Sequence, residues 1–458
     1  MTLDLRDKRV LVVGLGRSGI AAARLCEARG ARVTVTDRRP AGELGSGPAA
    51  LPSGIARELG GHVGDSFVGA DLIVLSPGVP EIPELAAARA AGVTITGELE
   101  LASRFVSSTM VAITGTNGKS TTTTLVGDML RATGRPTFVG GNLGEPLAEA
   151  VGTPAAAPGG YCVVEVSSFQ LETAETFHPQ VAVLLNITTD HLDRYDGMNG
   201  YIAAKARIFR AQTRSDAAVI NLDDAIACSA SAPAPSRHFG FRVTRPLDEG
   251  AFLDGDELVL RLDGQAEERY PAVLPGLTGR HNQANALAAL LASRLAGATA
   301  AEARAALLAF RPLAHRMELV AEADGIAYYD DSKGTNVGAV VAALDGFPRR
   351  VVLIAGGRDK GGSYAPLAEV LRPVGRAAVL IGEAADKMQA AFAGVLPVER
   401  AVTMDDAVAA ARRVAQPGDA VVLSPACSSF DMFRDYAHRA EVFRAAVARV
   451  TRSGEGGR

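Results

Sequence analysis

The sequence predicts an α/β protein of three domains, and three observations carry that prediction. Short apolar runs of strand length alternate with Ala-rich segments of helical length through almost the whole chain. Two glycine-rich loops each follow such a run and precede a helix-length segment. The 458 residues exceed one domain at roughly 100–200 residues each.

The runs are Val10–Val13, Val33–Thr36, Leu72–Leu75, Val111–Ile113, Cys162–Val166, Val181–Ile187, Val351–Ile354, Ala378–Ile381 and Ala420–Leu423. Strands buried on both faces are apolar throughout, and helix-length connections make their neighbours parallel. Three breaks suggest boundaries. One falls at Gly97, before a helical stretch from Glu98 to Phe105. A second, from Ala232 to Tyr270, is rich in Pro, Asp and Gly and reads as a small insertion of short strands. The third is at Phe310-Arg-Pro-Leu-Ala, where Pro312 stops a helix. The expected domains are therefore 1–97, 98–312 and 313–458.

Composition narrows the function. Hydrophobic residues make up 48% and charged residues 21%, an ordinary globular balance. A net charge of −4, spread along the chain, offers no basic footprint for nucleic acid or an anionic membrane. No run approaches the ~20 apolar residues of a membrane span. Asp4, Arg6, Asp7, Lys8 and Arg9 stand where a signal peptide needs apolar residues. Cys26, Cys162, Cys228 and Cys427 lack metal-ligand spacing and read as structural thiols of a reducing cytoplasm. The Gly-rich tail from Ser453 to Arg458 is expected to fray.

The first glycine loop is Gly14-Leu-Gly-Arg-Ser-Gly19, after the strand from Arg9, with Asp37 ending the next strand. This is the Rossmann-like fingerprint, in which backbone amides approach a pyrophosphate. It leaves NAD, another nucleotide diphosphate and a ligand-free turn open. Ser76-Pro-Gly78 closes another strand of the same sheet.

The second loop is Gly115-Thr-Asn-Gly118-Lys119-Ser120-Thr121. It is a phosphate loop, with Lys119 suited to the β/γ phosphates and Ser120 to Mg²⁺. Ile113 stands where the strict pattern has its first glycine. An oxidoreductase has no need of this loop, and a simple nucleoside triphosphatase has no need of the first one.

Glu165 closes the strand from Tyr161, and Asp190-His191 follows the run Val181–Ile187. A buried carboxylate is costly unless it is paired or metal-bound, so Glu165 and His191 are candidates for a metal or substrate site. Lys205 lies in an expected helix from Asn199 to Arg210, where a solvated face is the plain reading.

Taken together and in order, several segments resemble the Mur ligases and folylpolyglutamate synthases. They are Thr114–Thr121, Glu165–Gln170, Asp190-His-Leu-Asp193, Ala203-Ala-Lys205, His281-Asn-Gln-Ala-Asn285, His315-Arg-Met-Glu318 and Asp331-Ser-Lys-Gly-Thr-Asn336. Gly14–Gly19, Ser76–Gly78, Gly141-Asn-Leu-Gly144, Gly356-Gly-Arg-Asp-Lys360 and Leu423–Asp431 resemble the branch that adds D-glutamate. The Asp-Asn-Pro-Arg stretch of the diaminopimelate-adding branch is missing from the sequence. Thr335 stands where the resembled family often has Thr in a Ser-Lys-Ala-Thr-Asn motif, but Gly334 replaces its Ala, and Arg38 stands where Thr is common after the acidic residue.

The resemblance implies a Rossmann-like first domain for the UDP part of a muramoyl-alanine substrate, which displaces the NAD reading. It implies a central ATPase-like domain for ATP and Mg²⁺, and a Rossmann-like third domain that brings the amino acid. Leu15, Asp37, Arg38, Ser76 and Gly78 would meet the nucleotide, with Asn142, Gln170 and His191 nearer the muramoyl-alanine. Gly115, Thr116, Asn117, Gly118, Lys119, Ser120 and Thr121 would hold ATP, together with Asn282, Asn285, Arg316 and Asp331. Ser120, Glu165, His191 and a carbamylated Lys205 would serve Mg²⁺, and Lys119, Glu165, His191 and Lys205 the catalysis. Lys333, Thr335, Lys360, Ser429 and Phe430 would position the amino acid. The expectation is a cytoplasmic, monomeric ligase of peptidoglycan precursors, acting on small molecules. A sister ligase for another amino acid, an oxidoreductase and a non-catalytic nucleotide switch are the competing readings.

Overall fold

The computed structural model describes residues 3–192, 194–274, 277, 279–311 and 313–455. Asp193, Pro312 and the last three residues of the tail, all named above, lie outside the described residues. The chain divides into two compact units. One comprises 1–187, 200–274 and 283–310, and the other 188–199, 275–282 and 311–458.

The first unit contains two sheets. The N-terminal sheet has β1 (Arg9–Val13), β2 (Arg32–Asp37), β3 (Ala56–Leu59), β4 (Leu72–Leu75) and β5 (Thr94–Gly97) in the order β3-β2-β1-β4-β5. Every pairing in it is parallel. The order reverses direction between β1 and β4, and open sheets bind ligands outside the carboxyl ends at such a point. Gly14–Gly16 and Ser76–Gly78 both follow strands there.

The central sheet contains β6 (Thr109–Thr114), β7 (Thr137–Gly141), β8 (Tyr161–Glu165), β9 (Val181–Leu184), β10 (Ala217–Asn221), β11 (Arg237–Arg242), β12 (Gly250–Asp254), β13 (Glu257–Arg261) and β14 (Glu268–Pro271). Its order is β14-β13-β12-β11-β10-β9-β6-β8-β7. The phosphate-loop strand β6 lies between β8 and β9, with Ile113 opposite Glu165 in the register. The short strands expected after Ala232 form, and they extend this same sheet. β11 pairs parallel to β10 and β12 parallel to β11, and antiparallel β12–β13 and β13–β14 pairings complete the edge. Close apolar pairs such as Phe252 opposite Val259 account for their joining the core.

The second unit is built on β15 (Glu318–Ala323), β16 (Ile326–Asp330), β17 (Val351–Gly356), β18 (Gly375–Ile381), β19 (Val398–Arg400) and β20 (Ala420–Leu423). Their order is β15-β16-β20-β17-β18-β19, with β15 antiparallel to β16. Val351, Leu353 and Ala355 pack on one face, and Val352 and Ile354 on the other. Helices cover both faces, which is why β17 is apolar at every position. No helix among the described residues is long and apolar enough to cross a membrane.

Candidate nucleotide and ligation site

The phosphate loop forms because β6 ends at Thr114 and the helix Lys119–Arg131 begins after only four intervening residues. Gly118 caps that helix in the left-handed region, with φ 85°. A Cβ there would lie 2.2 Å from Asn285 Oδ1, so this position demands glycine on two counts. The loop also rests on the segment after β9. Thr116 N donates to Asn186 O at 2.9 Å, Asn117 N to Asn186 Oδ1 at 2.8 Å, and Asn186 Nδ2 to Asn117 O at 3.0 Å. The first amides of the helix have no intrahelical acceptor and form an anion cradle.

Two lysines converge on this loop. Lys119 Nζ donates to Gly115 O at 3.0 Å and Thr116 O at 2.8 Å. Lys205 Nζ donates to the same Gly115 O at 2.8 Å and lies 4.6 Å from the Tyr201 ring centroid. The solvated-face reading of Lys205 is therefore wrong: the residue is 1% exposed. The helix runs from Met198 to Ala206 and turns its apolar side inward, taking Lys205 with it. Tyr201 is also buried, and its hydroxyl lies 3.2 Å from Thr116 Oγ1.

Glu165 is buried at the end of β8, beside the phosphate-loop strand. Asn142 Nδ2 donates to its Oε1 at 2.9 Å, while its Oε2 is buried without a hydrogen-bond partner. An orphaned carboxylate oxygen is costly, and a divalent cation is the chemistry that would satisfy it. The donor set thus fits a magnesium ion, with Ser120 on the adjoining helix. Gln170 is buried too, and its Oε1 accepts from Ser167 N at 2.9 Å in a capping box, a structural role the sequence did not disclose.

At the switch point of the first sheet, a cavity of about 320 Å³ is lined by residues that include Leu15, Asp37, Arg38, Arg39, His62, Ser76 and Gly78. Leu15 N donates to Asp37 Oδ2 at 2.8 Å. Arg39 grips the same carboxylate with its backbone N, Nε and Nη2, at 2.9–3.0 Å. Burial pushes the Asp37 carboxyl up, but the Arg39 and Leu15 hydrogen bonds outweigh it and hold the group down at about 2. Ser76 Oγ donates to Gly14 O at 2.7 Å. Arg38, singled out from the sequence, lines the cavity, but its neighbour Arg39 organises the carboxylate.

In the second unit, Asp331 is buried and takes a hydrogen bond from Ser424 Oγ. Burial raises its carboxyl to about 6. A Cβ on Gly334 would fall 2.5 Å from Asp331 Oδ2, which explains glycine in place of alanine there. Arg316 lies between His315 and Met317, both in the left-handed region with φ 63° and 45°. His315 is fixed by Asp330 Oδ2, 2.8 Å from its Nδ1, and by Glu318 Oε2, which accepts from its backbone N at 3.0 Å.

Asp190 accepts from Lys360 Nζ and from Asn336 Nδ2, both at 3.1 Å. His191 adjoins it with φ 55°. Lys333 Nζ lies 5.6 Å from the Tyr436 ring centroid, Thr335 is half-buried, Ser429 is buried, and Phe430 is 63% exposed. Sequence reasoning missed Arg439. It is fully buried and donates to Ser332 O at 2.8 Å and Cys427 O at 3.2 Å, tying together the loops that carry Lys333 and Ser429. Burial lowers its guanidinium to about 10. Asn282 and Asn285 share the helix Arg280–Leu295, in which Asn285 is buried.

A phosphate loop on a buried α/β sheet, two convergent lysines and a cation-seeking carboxylate define a nucleotide-dependent group-transfer enzyme. The comparisons agree. Residues 8–97 match the MurD-like N-terminal domain of Mur ligases, 113–293 the Mur ligase middle domain, and 315–427 the Mur ligase glutamate ligase domain. The chain belongs to the Mur ligase family. It is 49% identical over 449 residues to a UDP-N-acetylmuramoylalanine–D-glutamate ligase of Geotalea daltonii, covering 97% of this chain and 98% of that protein. A protein of the same name from Syntrophotalea carbinolica is 48% identical over 452 residues, covering 98% and 100%. Among solved structures, a pseudomurein peptide ligase of Methanothermus fervidus superposes with a TM-score of 0.62 at 20% identity, covering 97% and 100%. The UDP-N-acetylmuramate–alanine ligase of Thermotoga maritima gives 0.61 at 20% identity, with the same coverage. These two similarities speak for the fold alone.

Proposed function

We propose that this enzyme uses ATP to join D-glutamate to UDP-N-acetylmuramoyl-L-alanine in the cytoplasm, as a step of peptidoglycan precursor synthesis. The observation that carries the chemistry is Glu165, buried beside the phosphate-loop strand with one carboxylate oxygen unsatisfied. The named relatives supply the substrate. We assign 1–97 to the UDP substrate, 98–312 to ATP and 313–458 to the amino acid.

A carboxylate does not acylate an amine at neutral pH, so its oxygen must first leave as phosphate. The L-alanyl carboxylate attacks the γ-phosphorus of ATP and ADP departs. The amine of D-glutamate attacks the acyl phosphate, loses a proton, and inorganic phosphate leaves from the tetrahedral intermediate. The first barrier is repulsion between two anions, which fixed cations lower. Lys119 meets the β/γ phosphates, while Gly115, Thr116, Asn117, Gly118, Ser120 and Thr121 cradle them. Asn282, Asn285, Arg316 and Asp331 hold the rest of the nucleotide. Ser120 and Glu165 would hold magnesium, to which we also assign His191, and the ion when bound would supply charge neutralisation. Lys205 would become a carbamate ligand by adding CO₂: its ammonium loses one proton to free the lone pair that attacks the carbon and a second as the N–C bond forms, leaving one N–H and a carboxylate.

Leu15, Asp37, Arg38, Ser76 and Gly78 meet the UDP moiety, and Asn142, Gln170 and His191 the muramoyl-alanine. Lys333, Thr335, Lys360, Ser429 and Phe430 position D-glutamate. For Lys360 this means exchanging Asp190 for a substrate carboxylate, a swap between like anions that suits a flexible ammonium. The test is isotopic. With ¹⁸O in the alanyl carboxylate, one label must appear in the released phosphate. Unlabelled phosphate would exclude the acyl-phosphate route.

A further inference from the structure

The cavity at the first switch point includes, among the described residues, an oriented ring whose hydrogen-bonding capacity the fold leaves half used. Asp37 accepts four hydrogen bonds from Leu15 and Arg39, and Ser76 Oγ donates its proton to Gly14 O while keeping its acceptor capacity. His62 lines the same cavity. Its Nδ1 lies 2.9 Å from Thr36 Oγ1, and Thr36 is itself fully buried and also donates to Gly61 O at 3.3 Å. The ring stands edge-on to the buried Phe67, with centroids 5.6 Å apart and planes at 80°. Two contacts of different kinds thus fix its orientation. Among the described residues, its second ring nitrogen has no protein hydrogen-bond partner. A ring this constrained loses little freedom on binding, so its free nitrogen gives both affinity and selectivity.

We propose that His62 is a specificity-determining residue of this pocket, its Nε2 hydrogen-bonding the polar edge of the bound uridine nucleotide. The inference rests on the assignment of the first domain to a UDP-linked substrate. Uracil and ribose both carry groups that an imidazole nitrogen can meet as donor or acceptor. Thr36 and Phe67 are then positioning residues, acting through His62.

The test compares three substitutions in the full-length enzyme, using steady-state kinetics and calorimetric titration with UDP. His62→Asn keeps an amide where Nδ1 bonds Thr36 but does not reach the ligand. His62→Gln places an amide near the Nε2 position. His62→Ala removes both. One neutral hydrogen bond corresponds to roughly 3- to 10-fold in affinity. Asn and Ala should therefore raise KM for the UDP substrate and the Kd for UDP by about that factor. The Gln variant should recover part of the loss, while kcat and the KM for ATP stay unchanged in all three. Asn behaving as wild type while Ala does not would reduce His62 to a brace for Thr36 and overturn the proposal. Wild-type affinity in all three would overturn it as well. A wild-type protein that binds no UDP would reject the substrate assignment itself, and the proposal with it.

Discussion

Gly118→Ala adds one methyl group at the point where the phosphate loop turns into its helix. Alanine pays roughly 1–2 kcal/mol to adopt a left-handed backbone. The new Cβ would overlap Asn285 Oδ1 at 2.2 Å, so a buried asparagine must also move, at about 1 kcal/mol for a disturbed hydrogen bond. If the loop opens instead, the same 2–3 kcal/mol or so is withdrawn from nucleotide binding, which is roughly 30- to 150-fold in ATP affinity. The assay is KM for ATP in the ligation reaction, with Kd for a non-hydrolysable analogue by calorimetry. Gly134→Ala is the control: φ is 74° there, but a Cβ meets nothing within 4 Å, so it should cost stability and leave KM for ATP alone. Asn285→Ala in the Gly118→Ala background relieves the overlap, so the double variant should lose less than the product of the single effects. A Gly118→Ala enzyme with ATP KM within about twofold of wild type would refute this account of the loop.

Two further perturbations probe buried carboxylates. Glu165→Gln keeps the acceptor for Asn142 and removes the charge, so the Mg²⁺ concentration for half-maximal rate should rise at least about tenfold, and an unchanged Mg²⁺ titration would count against a ligand role. Glu98 is 1% exposed, accepts from Ala148 N at 2.7 Å and leaves Oε2 without a partner. Burial raises its carboxyl from 4.5 to about 7. Below pH 4.5 both folded and unfolded states hold the proton; above it the unfolded chain releases it first, so stability falls as pH rises to about 7 and then levels. The loss is on the order of 3 kcal/mol. Glu98→Gln should therefore gain Tm relative to wild type as pH goes from 5 to 8, and a pH-independent difference would contradict the assignment.

The strands that carry the site were legible because each is a continuous apolar run. The phosphate loop was legible because Gly-Lys-Ser after a strand has few uses. Glu165 and Asn142 fell within motifs, and the structure hydrogen-bonds them to each other. What the sequence hid depends on contacts between distant positions. Arg38 and Arg39 are adjacent and chemically identical, so only the fold decides which one folds back onto Asp37. Asn186 looks like the end of a strand until the loop 69 residues earlier is laid against it. Arg439 sits in a helix of alternating charge, and its full burial follows from two loop carbonyls more than ten residues away. Lys205 needed the rotation of its helix to be known. The segment after Ala232 was read as strands, but pairing register alone attaches those strands to the central sheet.

The central claim is the ligation itself. ADP release should be measured with UDP-N-acetylmuramoyl-L-alanine, ATP and Mg²⁺ against D-glutamate, L-glutamate, L-lysine and meso-diaminopimelate in turn. Release with D-glutamate alone is the predicted result. Release with a different amino acid would contradict the substrate assignment while keeping the chemistry, and no release with any of them would contradict both.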